Sequence, residues 1–414
     1  MSQMILDDCP LCCSKNGKIV LNLNCGNFDN STLYKNAVVK SCDNCGHIYN
    51  RLSEKDFNGL NKYYNCEYAQ TNLASVDKIG DRPGSSNYFT IKRFEQIYGK
   101  IKNYLTADSV VLDVGCAMGG FLSYLKSQGI SGLYGIDLSE NYVKHAGKNK
   151  DLAVKLGNAD DIPYENNKFH MLFMDQVLEH LVNPRMVFRE AGRVLKQGGY
   201  FCIGVPNAQR YSEYYIFDFY WFIMREHIQH FDIHHLIFLA ESEGFELVDY
   251  TESDSYMMSE TMVLPNLNAV FKFTGKTQNI IKDDKLKIVA GDTVKYIEKE
   301  YGRLKLKIKL IDELIKTQRP VFIWGIGREY LYLNENTNLR NCNIKGLLDI
   351  NRFKQKEFSI SGRKIEDVAK VSKSDRNSSL LITAVAHEDK IKEHALRLGF
   401  KGDIIDCKTF NVKN

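Results

Sequence analysis

Residues 225–235 read REHIQHFDIHH and place His227, His230, His234 and His235 within nine positions, four of the chain's ten histidines. Imidazole titrates at about pH 6.5, so such a group serves near neutrality as a proton acceptor or, uncharged, as a metal ligand. His227 and His230 are three apart and can share a helical face, but the stretch lacks the H-E-x-x-H pattern of a helical metal site. The expectation is that one pair carries the chemistry. His227 is the candidate general base, with Glu226 beside it to fix its tautomer or raise its basicity. His180, in VLEH, is the second candidate base, or else a helix cap that lines a cofactor pocket.

A base needs a substrate and a cofactor beside it, and residues 109–125, SVVLDVGCAMGGFLSYL, supply the place for a cofactor. An apolar strand, a glycine turn and an amphipathic helix open a doubly wound α/β unit. The turn departs from the G-x-G-x-x-G of dinucleotide sites: an acid, Asp113, precedes Gly115, Gly119 and Gly120. A carboxylate here repels a diphosphate and favours the ammonium or sulfonium of S-adenosylmethionine. The next strand, GLYGID, ends at Asp137 with Leu138 beside it, where a carboxylate can accept both ribose hydroxyls. LGNADDIPY then offers Asp160 and Asp161 to an adenine amino group, with Ala159 against the ring, and FHMLFMDQVLEHL delivers Asp175, Gln176, Glu179 and His180.

Two C-x-x-C elements, Cys9-Pro-Leu-Cys12 and Cys42-Asp-Asn-Cys45, stand near the N-terminus with 29 residues between them. Two tight turns that aim paired thiolates at one ion complete a tetrahedral site, so a structural zinc ribbon is expected, with Cys13 and His47 as alternative ligands. Eleven cysteines, an odd number, with no export signal ahead of them argue against a disulfide framework and for the cytoplasm. The apolar stretch YSEYYIFDFYWFIM at 211–224 is short and carries Glu213 and Asp218, which suits a lid or pocket wall better than a membrane span.

At 414 residues the chain calls for more than one domain. The expected α/β architecture is a ribbon at 1–70, an S-adenosylmethionine-binding doubly wound unit at 88–250, a connector with a long lysine-faced helix at 251–317, and a second Rossmann-like unit at 318–414. In the last of these, VFIWGIGREYLYL has Gly325 and Gly327 but Tyr330 where a third glycine would stand, and KGLLDI ends at Asp349. The 55 basic and 51 acidic residues nearly cancel, which is no nucleic-acid footprint.

From about residue 88 to 250 the succession of turn, Asp137, VLEH and VLKQGG resembles class I S-adenosylmethionine-dependent methyltransferases. With ribbon and trailing Rossmann-like unit added, nearly the whole chain resembles bacterial C-methyltransferases of nucleotide-linked deoxysugars. That resemblance implies a nucleotide-sugar partner rather than nucleic acid or membrane, a third unit that helps hold the nucleotide through Gly325, Gly327, Arg328 and Asp349, and Glu226-His227 as the Glu-His of the base. The family's Tyr-His before that pair is Met224-Arg225 here, so Tyr88, or a tyrosine at 211, 214, 215 or 220, is expected to serve instead. A sugar hydroxyl as acceptor is the alternative, and an RNA methyltransferase a third reading.

Overall fold

The computed structural model describes residues 4–68, 88–214, 216, 219–256, 263–278, 284–374 and 376–405. At the N-terminus, Met4–Leu6, Gly17–Asn24, Asn36–Cys42 and Ile48–Ser53 form an antiparallel sheet in the order first, fourth, third, second. A fifth strand comes from the histidine-rich stretch: Gln229 and His230 pair with Tyr49 and Ile48. Ribbon and catalytic candidates therefore share a sheet. Ser53 and Asp56 then close a reciprocal capping box that starts the helix Glu54–Lys62, and the chain continues as one π-helical turn, Tyr63–Tyr68.

Gly46 closes the second cysteine turn at φ +75°, and a Cβ there would lie 2.4 Å from the carbonyl oxygen of Leu286. Left-handed backbone and contact with a crossing main chain both demand glycine. Gly46→Ala is expected to cost about 2 kcal/mol or more, read as a lower thermal unfolding midpoint.

The central sheet runs Phe245–Tyr256, Val263–Phe273, Leu195–Pro206, Phe169–Asp175, Val110–Val114, Gly132–Asp137, Ala153–Leu156. Its last five strands are parallel and the first two antiparallel. The strands VVLDV and FHMLFMD are almost wholly buried, as parallel strands covered by helices on both faces must be. They lie side by side where the strand order reverses, the place at which open α/β sheets bind ligands. Asp113 and Asp175 stand at their carboxyl ends.

The sheet extends past residue 250. The stretch expected to begin a connector instead pairs antiparallel, Phe245–Tyr256 with Val263–Phe273. Its outer strand, FELVDYTESDSY, is an edge with one face in solvent, so its polar residues imitate a loop. The helix Ile288–Thr317 follows and buries Val289, Thr293, Tyr296, Glu300, Leu304, Lys307, Ile311 and Leu314, one stripe at helical spacing. The C-terminal sheet has the order Ser359–Ile360, Arg363–Glu366, Ile344–Leu348, Val321–Trp324, Ser379–Ile382, Asp403–Ile405, parallel except for the first pair. Among the described residues no helix is long and apolar enough to cross a membrane.

Candidate active site

One cavity of about 770 Å³ opens at the reversal of the central sheet. Asp113, Gly115, Asp137, Leu138, Ala159, Asp160, Asp175 and Gln176 line one part of it, and His180, Glu226, His227 and Arg328 line another. The donor end and the base candidates are thus walls of the same space. Gly119 lies behind the wall, where its φ of +75° starts the helix Gly120–Ser127.

The donor end is rich in carboxylates. Asp137 accepts the Ala117 N–H at 2.9 Å and the Ser139 N–H at 2.8 Å, one on each oxygen. Burial pushes its carboxyl upward, and burial together with Asp175 and Asp137 pushes Asp113 well above the usual carboxylate range. Asp175 is raised by burial although Arg93 donates to its Oδ2 at 2.6 Å and 3.0 Å, while its Oδ1 has no partner. Three crowded carboxylates near one guanidinium suit a ligand that brings positive charge and hydrogen-bond donors, which is the chemistry of an aminoacyl sulfonium. Ala117 and Gln176 hold left-handed backbone at φ 45° and 56° on the same rim, strain of the kind that gathers at functional sites.

At the other end, His227 is buried and its Nδ1–H donates to the Phe222 carbonyl at 2.9 Å. The neutral ring then has its lone pair on Nε2. Burial and the neighbouring His180 hold its pKa well below the ordinary histidine range, so the ring is uncharged at neutral pH. The Phe222 carbonyl, not Glu226, sets this tautomer. The Glu226 carboxylate faces Arg328 at 3.4 Å; burial pulls it upward, but Arg328 and Arg225 outweigh that and hold it below the usual range. Glu226 acts on the site through its backbone as well, because its carbonyl accepts from His180 Nδ1 at 2.7 Å. The His180 and His227 rings meet edge to face with centroids 4.8 Å apart.

Glu179 lies beside this pair at 1% exposure, 3.8 Å from His180 Nε2, and neither of its oxygens has a partner. Burial pushes its carboxyl up to about 8. The folded state thus holds the proton more tightly than the unfolded chain, and this contribution to stability is full below about pH 4.3 and lost as pH rises through 8. Glu179→Gln is expected to raise the thermal midpoint over the unaltered protein at pH 9 and to leave it unchanged at pH 4. The ceiling is on the order of 5 kcal/mol at about 1.4 kcal/mol per pKa unit.

None of the expected tyrosines among the described residues lines the cavity. Tyr88 is 59% exposed and covers Lys92, away from the cavity wall. Tyr211 packs against Phe222 and His230, Tyr214 bonds Asp254, and Tyr220 packs on Tyr332; Tyr215 lies outside the described residues. The hydroxyl in reach is that of Tyr64, 3.0 Å from His180 Nδ1, with Tyr63 and Tyr68 stacked edge to face around it. The signal was YYNCEY, three tyrosines in six residues just ahead of the core. Trp221, Phe222 and Met224, from the apolar stretch expected to wall a pocket, also line the cavity.

In the C-terminal unit only Arg328 reaches the cavity, among the residues expected to bind substrate there. At Gly325, φ +103°, a Cβ would sit 2.5 Å from the Ala384 nitrogen. Gly327 has open space around it. Asp349 receives Lys354 Nζ at 3.1 Å, and the same ammonium donates to the Ile326 carbonyl, so a lysine of the chain fills the mouth of the glycine turn.

The other histidines of the opening stretch point elsewhere. His230 is buried near Tyr211, and His235 bridges Asp232 at 2.7 Å and the Cys45 carbonyl at 2.9 Å. No metal-holding group forms from His227, His230, His234 and His235 among the described residues. The four cysteines do converge: all Sγ atoms of Cys9, Cys12, Cys42 and Cys45 lie within 4.8 Å of one another, with two pairs at 3.6 Å. A tetrahedron of sulfurs with metal bonds of about 2.3 Å has edges of about 3.8 Å, so the set fits a zinc ion closely. Cys13 is exposed, and His47 turns its Nε2 to Gln229.

Residues 112–203 match the family model described as "Methyltransferase domain". The sarcosine/dimethylglycine N-methyltransferase of Aphanothece halophytica is 32% identical over 124 residues, 28% of this chain and 44% of that protein. The mitochondrial ubiquinone biosynthesis O-methyltransferase of Candida albicans is 32% identical over 178 residues, 39% of this chain and 50% of that protein. The chain spans about half the length, or less, of these curated relatives. A solved SAM-dependent methyltransferase from Methanosarcina mazei, 20% identical, aligns with 44% of this chain and 99% of its own at a TM-score of 0.37. The central unit thus carries a methyltransferase domain with an α/β, Rossmann-like sheet.

Proposed function

We propose that the protein methylates a small acceptor whose reacting hydrogen lies against His227, and that the acceptor is a nucleotide-linked keto sugar alkylated at the carbon beside the ketone. S-adenosylmethionine, held by Asp113, Asp137, Asp160 and Asp175, supplies an electrophilic methyl group when bound. The observation that carries the reading is the state of His227: buried, uncharged, its Nδ1–H fixed on the Phe222 carbonyl, on the wall of the space that continues to the donor end. Such a ring accepts a proton on Nε2 without first losing one. Arg328, stacked 4.8 Å over Trp221 at that wall, suits an anionic group on the acceptor.

We assign Cys9, Cys12, Cys42 and Cys45 to a structural zinc, closed by four protein ligands. Nucleic acid and membrane are not partners in this reading, because the charge is balanced.

The test incubates the protein with S-adenosylhomocysteine and candidate nucleotide-linked keto sugars in heavy water. Deuterium at the carbon alpha to the ketone, absent with His227→Ala, supports carbon alkylation. Methyl transfer to a hydroxyl without exchange assigns an O-methyltransferase. Transfer to RNA alone, with steep loss of binding as salt rises, overturns both.

A further inference from the structure

We propose that the C-terminal third acts on the methyltransferase site as a positioning device for the base, through Tyr296, Glu300 and Glu329, which pin the backbone of residues 219–222 and thereby set the tautomer of His227. This goes beyond substrate binding by that unit, and it rests on the reading of His227 as the base.

The pins are three hydrogen bonds, backed by two buried charge pairs. Glu329, in the first turn of the C-terminal helix Arg328–Asn336, accepts the Phe219 N–H at 3.1 Å. Glu300 of the long helix accepts the Tyr220 N–H at 3.0 Å, and Tyr296, one turn earlier, accepts the Phe222 N–H at 3.3 Å. The other side of the same residue carries the consequence: the Phe222 carbonyl receives His227 Nδ1–H at 2.9 Å. The peptide units of Phe222 therefore join a hydroxyl of the long helix to the imidazole of the base.

Isolated carboxylates at such depth would be unfavourable, and each has a cation of its own. Glu300 meets Arg303 at 2.6 Å and Glu329 meets Lys307 at 3.4 Å, with Glu300, Glu329 and Lys307 all buried to within a few per cent. Removing one partner of such a pair is costly, which gives the arrangement one geometry. Tyr220, the second of the three pinned residues, holds left-handed backbone, φ 50°, a conformation that a tyrosine keeps only when its surroundings impose it. Arg328, the neighbour of Glu329, lies over Trp221 and against Glu226, so the same helix start touches both ends of the 221–227 segment. By contrast the glycine turn of this unit is filled by Ala384 and Lys354. Its helix start, and not its nucleotide-like turn, is what it presents to the site.

A histidine Nδ1–H bonded to a buried carbonyl gives a protected downfield proton resonance, which reports the contact without any acceptor substrate. In protein labelled with nitrogen-15 histidine, the signal is identified by its loss in His227→Asn. Glu329→Ala is expected to abolish or strongly shift it while S-adenosylhomocysteine affinity stays within about twofold, because the donor-end contacts are untouched. Glu329→Gln, whose amide oxygen can still accept from Phe219, is expected to keep it. Tyr296→Phe removes one hydroxyl and serves if Glu329→Ala does not fold; its expected signature is the same. An unshifted, equally protected resonance in the variant that folds overturns the proposal. If His227 is not the base, the resonance still responds while His227→Asn keeps full turnover, so the two failures are told apart.

Discussion

Replacing His227 with alanine lowers methyl transfer by about 1,000-fold while S-adenosylhomocysteine binds with its affinity changed by no more than about twofold. A positioned base contributes about 100-fold to 10,000-fold. Among the described residues His180 is the nearest substitute; its Nδ1–H is likewise held by a carbonyl, that of Glu226, but its Nε2 faces the buried Glu179. The pH profile is a second readout. An ordinary histidine would lose its basic form as pH falls through about 6.5, so turnover would drop across that range. Burial and His180 hold His227 well below that value. The acid limb set by this ring is therefore displaced to lower pH, and turnover stays level between pH 8 and pH 6. A limb centred near 6.5, or a fully active His227→Ala, would place the base elsewhere.

How much of this was legible in the sequence depends on where each residue's partners lie. Asp113, Gly115, Asp137 and Asp175 sit at the ends of parallel strands, and local order along the chain is enough to bring such ends to one edge. The paired cysteines were legible for a similar reason, since each C-x-x-C turn is made within four residues. Tyr64 and Arg328 were different. Tyr64 meets His180 across 116 residues and Arg328 meets Glu226 across 102, contacts that depend on how the three units pack. Glu226-His227 was found as a pair, but adjacency misled about the partnership: a turn closed by the His227 N–H on the Met224 carbonyl sends His227 back to Phe222, while Glu226 meets Arg328 of the C-terminal unit. The edge strand 245–256 failed for a third reason, its polar face being the mark of solvent and not of a loop.

Cys42→Ser, or removal of metal by a chelator, is expected to cost the protein the zinc proposed for the four thiolates, lower the thermal midpoint sharply and abolish methyl transfer, although no cysteine of the set lines the cavity. Zinc held by four thiolates contributes about 10–16 kcal/mol to folding in small metal-dependent units, more than a four-stranded ribbon can replace with its own core. The loss would not stop at the ribbon. Its strand Ile48–Ser53 pairs with Gln229–His230, its Asn50 amide donates to the His227 carbonyl at 2.8 Å, and Arg225 Nη1 bonds the Gly26 and Tyr34 carbonyls at 2.8 Å and 2.7 Å. The Cys45 carbonyl is tied directly to His235 at 2.9 Å. Arg225, His227, Ile228, Gln229 and His230 would each lose part of their support, and Tyr64, just beyond the ribbon, would leave His180. S-adenosylhomocysteine binding should fall less than turnover, because Asp113 and Asp137 belong to strands that the ribbon does not pair with. Metal analysis, a melting curve and a binding isotherm on the same preparation separate these effects. A metal-free Cys42→Ser that melts and turns over like the unaltered protein would show that the four sulfurs hold no structural ion.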